Sequence, residues 1–196
     1  NIFKGLEKRF PNNFKLESIG QTWEKREINL ITISNDIHTA DQRPALFFTG
    51  TIHAREWIGH ELATDFASYV LENYELDPTI QSYLSKATIY MVPCANPDGF
   101  EYSRMHFGFW RKNRRQNADF IKSSSTTSNV YGGPEPFSEP ETQALRDFVE
   151  THPNITIALD YHSQGNVFFP AHDFRHEDML DTTDMNNLCA NMAEEN

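Results

Sequence analysis

The change of hydrophobic period after Gly50 constrains this chain more than any other feature. Residues 44–50 (Pro-Ala-Leu-Phe-Phe-Thr-Gly) form a near-continuous apolar run ending in glycine, the pattern of a strand buried on both faces. From Arg55 to about Tyr74 the period changes. Ile58, Leu62, Phe66, Val70 and Leu71 recur at three and four, which predicts an amphipathic helix. A second apolar strand follows at 87–94, closed by the strong turn residues Asn96-Pro97-Asp98-Gly99. Strand, helix, strand is a βαβ unit, so the chain is expected to fold in the α/β class.

The flanks give further elements. Ile2, Phe3, Leu6 and Phe10 at helical spacing predict a helix stopped by Pro11. Strands are expected at 14–19 and 27–34, joined through Gly20, and a short helix at 77–84. Residues 100–137 read as one long surface loop, and loops of that length are usually functional. Ser138-Glu139-Pro140-Glu141 has the spacing of a capping box and opens a helix carrying Leu145, Phe148 and Val149. A strand should then place Ile155, Ile157, Leu159 and Tyr161 on one face. A further strand is expected at 167–169 and a helix at 185–195.

Bulk properties exclude several classes. The 196 residues suit a single domain spanning 1–196 with a core that needs no staples. A content of 38% hydrophobic and 13% aromatic residues argues against disorder, and a net charge of -11 argues against nucleic acid as the main partner. No apolar run reaches the length of a membrane span. Two cysteines, Cys94 and Cys189, make no disulfide framework. The first residue is Asn1, read as a processed or trimmed terminus.

Chemistry concentrates where the period changes. His53 lies just past the end of the first apolar strand, and Glu56 begins the helix. A strand-to-helix junction can aim both side chains at one point. In open α/β sheets, sites collect beyond the carboxyl ends of strands. His162 stands at the end of another predicted strand, so neighbouring strands would bring the two imidazoles together. Two histidines and one glutamate, with a position left for water, are a standard catalytic zinc set. His60 does not complete a His-Glu-x-x-His motif and is read as structural or solvated, as are His38, His106, His152, His172 and His176.

Longer motifs narrow the reading. Gly50-Thr51-Ile52-His53-Ala54-Arg55-Glu56-Trp57 is followed by Asn96-Pro97-Asp98-Gly99-Phe100, Phe109-Trp110-Arg111-Lys112, Pro136-Phe137-Ser138-Glu139-Pro140-Glu141-Thr142 and Tyr161-His162-Ser163. In this order the chain resembles the zinc metallocarboxypeptidases of the carboxypeptidase A/B type over nearly its whole length. The resemblance implies a three-layer α/β/α fold around a mixed, largely parallel sheet of the phosphorylase/hydrolase type. It implies one zinc ion per chain on His53, Glu56 and His162, and Arg111 as the catalytic, substrate-binding arginine that stabilises the tetrahedral oxyanion. Arg55 would bind substrate further along the groove. The implied substrate is the C-terminus of a peptide or protein, the expected state a monomer, and an extracellular or periplasmic setting follows by analogy.

The sequence also departs from that family. The family's Asn-Arg pair, which clamps the substrate's terminal carboxylate, has no match, and roughly ten residues are expected to be missing near Asn117 to Asp119. The family's general-base glutamate and substrate-capping tyrosine lie well beyond the position matching His162. The polypeptide is therefore expected to be incomplete at its C-terminus and to have very low peptidase activity by itself. Two alternatives remain open. One is a cell-wall peptide endopeptidase or amidase of the same superfamily, towards which His162-Ser163-Gln164-Gly165 leans. The other is a degenerate zinc- or peptide-binding module without turnover.

Overall fold

A computed structural model of the chain describes residues 2–115, 128–129, 131–165, 167–168 and 183–194. It divides into two compact units, Asn1–Ser163 and Gln164–Asn196. The first runs α1 (Ile2–Arg9), β1 (Phe14–Gln21), β2 (Glu27–Ile33), a 3-10 turn (Ile37–Gln42), β3 (Ala45–Gly50), α2 (Ile58–Asn73), α3 (Pro78–Lys86), β4 (Thr88–Val92), α4 (Pro97–Met105), α5 (Pro140–Thr151) and β5 (Ile155–Tyr161). In the second unit the described regular element is α6 (Thr183–Glu194). The expected strand at 167–169 and the expected gap near Asn117 to Asp119 fall wholly or partly outside the described residues, as do His172 and His176.

The sheet has the order β1-β2-β4-β3-β5. β1 pairs antiparallel with β2, and β2 with β4, while β3 pairs parallel with both β4 and β5. The βαβ unit is therefore β3-α2-α3-β4. Alternation along each strand divides the core into two layers. Ile31, Ile33, Phe48 and Met91 pack with α1, α2 and α3 on one face. Ile28, Leu30, Phe47, Tyr90 and Val92 pack with Ala144 and Phe148 of α5 on the other. The result is the expected three-layer α/β/α arrangement.

Several local expectations fail for physical reasons. The stripe of α2 faces the sheet only in part: Val70 and Leu71 are buried as expected, but Ile58, Leu62 and Phe66 are exposed and Gly59, Ala63 and Ala67 are buried in their place. At its N-terminal end the helix approaches the sheet too closely for large side chains. A Cβ on Gly50 would lie 2.9 Å from the Gly59 carbonyl oxygen, and one on Gly59 would lie 2.9 Å from Thr51 N. The turn at Asn96 is the start of α4, capped by Asn96 with Pro97 in the first turn, so the long loop begins only after Met105. Ser138 does not close a capping box. Glu139 is the N-cap of α5, and Glu141 turns into the protein. On β5 a register irregularity between the partners of Ala45 and Leu46 sends Ile155 to the α5 layer and leaves Tyr161 on the α2 layer.

Candidate metal centre

The site forms because β3 and β5 are neighbours in register, with Gly50 opposite Tyr161. Each chain then leaves the sheet at the same end, and His53 meets His162. Thr51, fully buried, takes a left-handed φ of 52°. That conformation is costly for a β-branched residue, about 1–3 kcal/mol, and marks a junction held by its surroundings. Its hydroxyl donates to the Glu56 carbonyl oxygen at 3.2 Å, and Glu56 N donates to the His53 carbonyl oxygen at 3.0 Å. The loop is thus folded back on itself before α2 begins.

Three side chains converge there. His53 Nδ1 lies 2.9 Å from Glu56 Oε1, His162 Nδ1 lies 2.8 Å from Glu56 Oε2, and the two Nδ1 atoms are 3.0 Å apart. One ligand atom from each residue falls within 4.8 Å of the others, a group able to hold a metal ion. The donor set fits zinc, which at Zn–N and Zn–O distances of about 2.0–2.2 Å brings its ligand atoms to such separations. The electrostatics point the same way. Burial lowers the His53 pKa against the pull of Glu56, with Arg111 adding to the lowering. Burial alone would raise the Glu56 carboxyl, but the His162 hydrogen bond and the His53 charge outweigh it and the net shift is downward.

The other expected site residues are placed as follows. Arg111 sits on the segment against the metal loop: Ala54 N donates to the Arg111 carbonyl oxygen at 3.0 Å, and the Arg111 guanidinium donates to the Asn129 carbonyl oxygen at 2.8 Å. Arg55 is not drawn into the His–Glu–His group; its guanidinium reaches the Phe109 carbonyl oxygen at 3.4 Å. His60 is packed between the rings of Phe3 and Phe100, and burial lowers its pKa. The sequence reading missed Asp160. Its Oδ2 lies 3.1 Å from His162 Nε2, while its other oxygen accepts from Thr49 Oγ1 at 2.7 Å. An Asp-x-His spacing at a strand end is the signal that could have found it, since residues two apart share a face.

A layered α/β sheet with two imidazoles and a carboxylate meeting beyond its strand ends makes this an α/β protein with a candidate metal site. The whole chain, residues 1–196, matches the zinc carboxypeptidase family model, and the protein belongs to that family. It is 31% identical to carboxypeptidase A4 of Mus musculus over 94% of this chain and 48% of that protein. It is 28% identical to carboxypeptidase B of Astacus astacus, covering 94% of this chain and 66% of that one. Among solved structures, carboxypeptidase A from Helicoverpa armigera superposes with a TM-score of 0.81 at 25% identity, over 98% of this chain and 51% of that one. The chain thus spans about half to two thirds of the length of these relatives.

Proposed function

We propose that this protein is a zinc-dependent metallocarboxypeptidase that hydrolyses the C-terminal peptide bond of peptides or proteins, with residues 1–196 belonging to one catalytic domain. The observation that carries the reading is the convergence of His53, Glu56 and His162 at the end of β3 and β5. These three residues would hold one zinc ion per chain. When bound, zinc supplies a water of lowered pKa and polarises a carbonyl group.

The chain's own groups prepare that chemistry. Burial favours the neutral form of His53, the form that can offer a ring lone pair to a metal ion. His162 has Asp160 beside Nε2, which favours a proton there and leaves Nδ1 facing the group. Arg111 would offer a fixed guanidinium to charge that develops only in the transition state. Arg55 would contact substrate further along the groove. Among the described residues no helix is long and apolar enough to cross a membrane, and an extracellular or periplasmic setting is proposed by analogy.

Two peptides that differ only in a free or an amidated C-terminus test this reading. Zinc-loaded protein that also carries the C-terminal portion with the family's general-base glutamate should release the terminal residue from the free peptide and leave the amide intact. Cleavage of the amidated peptide alone would replace exopeptidase action with that of an endopeptidase or amidase. Zinc binding with neither peptide cut would mark a binding module.

A further inference from the structure

We infer that Asn96 is a positioning residue whose buried carboxamide ties the backbone carrying His53 to the backbone carrying Arg111. The inference rests on the zinc-peptidase reading above and extends it to how the metal and the oxyanion-binding cation are held in register.

Asn96 is 1% exposed and lies just past the end of β4. Its oxygen accepts from Gly99 N at 3.0 Å, which caps α4. Its Nδ2 carries two hydrogens. One goes to the carbonyl oxygen of Ile52 at 3.3 Å, the other to that of Lys112 at 3.1 Å. Ile52 immediately precedes His53, and Lys112 immediately follows Arg111. The direct bond from Ala54 N to the Arg111 carbonyl oxygen joins the same two segments on the other side. His53 is therefore bracketed by one cross-link on each side, and Arg111 is tied at its own carbonyl and at the residue that follows it.

Capping alone does not explain asparagine here. A helix N-cap needs an acceptor, and serine, threonine or aspartate serves as well. Of these residues only asparagine also offers two hydrogens on one nitrogen. The packing is built around that amide. A Cβ on Gly99 would lie 2.6 Å from Asn96 Nδ2 and 2.7 Å from the Ala54 Cβ. Trp110 Nε1 also donates to the Lys112 carbonyl oxygen, at 2.7 Å, so losing Asn96 frees the Ile52 side of the bracket more than the Lys112 side. Trp57 Nε1 donates to Ser103 Oγ, whose hydroxyl lies within hydrogen-bond distance of the Ala54 and Phe100 carbonyl oxygens at 2.9 and 2.8 Å.

The test compares the full chain with Asn96→Ser and Asn96→Asp. Both variants keep a cap acceptor and neither supplies two amide hydrogens. Far-UV circular dichroism should be unchanged, because α4 remains capped. Hydrogen exchange at the Ala54 amide should be at least about tenfold faster in both, which reads the bracket without any turnover. In zinc-loaded protein that also carries the family's C-terminal portion, kcat on a free-carboxylate peptide should fall about 100-fold with KM nearly unchanged, as for a small displacement of a transition-state group. Arg111→Ala should then cost far less in the Asn96→Ser background than alone, because the two act as one unit. Unchanged Ala54 exchange would overturn the inference whether or not the protein proves to be a peptidase. Additive losses from Asn96→Ser and Arg111→Ala would overturn it too. A wild-type chain that binds no zinc would instead sink the peptidase reading, with the Ala54 exchange still deciding the bracket.

Discussion

Glu56 and Glu141 are almost equally buried, at 5% and 2% exposure, yet their carboxyls are driven in opposite directions. Glu56 has an imidazole on each oxygen, and its pKa is lowered in spite of burial. Neither oxygen of Glu141 has a well-formed hydrogen bond among the described residues. Burial, with Asp98 and Glu139 nearby, pushes its carboxyl up to about 7 against the lowering effect of its own backbone N–H and of Asn113. Burial therefore does not decide whether a carboxylate in this fold is charged. Its partners do. A charged glutamate suits a metal site, while one whose partners do not offset its burial is a cost that the N-terminal end of α5 carries.

The comparison can be broken most sharply at Glu56. Glu56→Ala should weaken zinc binding well beyond the roughly 10–100-fold expected for losing a group that only supports a ligand, measured by competition with a chromophoric chelator. A loss within that range would make Glu56 a supporting residue and not a ligand.

Glu141 offers a test through pH. Unfolded, this carboxyl titrates near 4.5; folded, near 7. Between those values the folded state keeps a proton that the unfolded state has lost, so stability falls as pH rises through the window. Glu141→Gln removes the titration and should be more stable than wild type by about 3 kcal/mol at pH 8, with the advantage gone at pH 4. Urea unfolding at the two pH values measures this. An equal difference at both would mean that charge on Glu141 is not the cause.

Asp98 sharpens the contrast from the other side. It is fully buried but accepts from Thr22 Oγ1, Glu24 N and the Arg26 guanidinium at 2.7–2.8 Å. Asp98→Asn should cost about 2 kcal/mol, the scale of hydrogen bonds to a charged acceptor. It should make the protein less stable at neutral pH, opposite in sign to Glu141→Gln.

The site was legible in the sequence because its signals are local and terminal. A strand run that stops at Gly50, a histidine three before a glutamate, and a second histidine at another strand end need only neighbouring strands to converge. The βαβ unit was legible from period alone. What failed depended on distances no period records. The large apolar residues in the first half of α2 looked like the core face, but the backbone contact between Gly50 and Gly59 lets only small residues inside there, while Val70 and Leu71 are buried further along. Ser138 and Glu141 had the spacing of a capping box, yet the chain turns Glu141 inward. Asn96 looked like a turn residue because its two long-range acceptors, 44 and 16 residues away, leave no mark in its neighbours.

Zinc content decides the central claim. Protein stripped with a chelator, reloaded and desalted should carry one zinc ion per chain, and His162→Ala treated identically should carry none while keeping its far-UV spectrum. Equal zinc in both, or none in folded wild type, would contradict a metal centre formed by His53, Glu56 and His162.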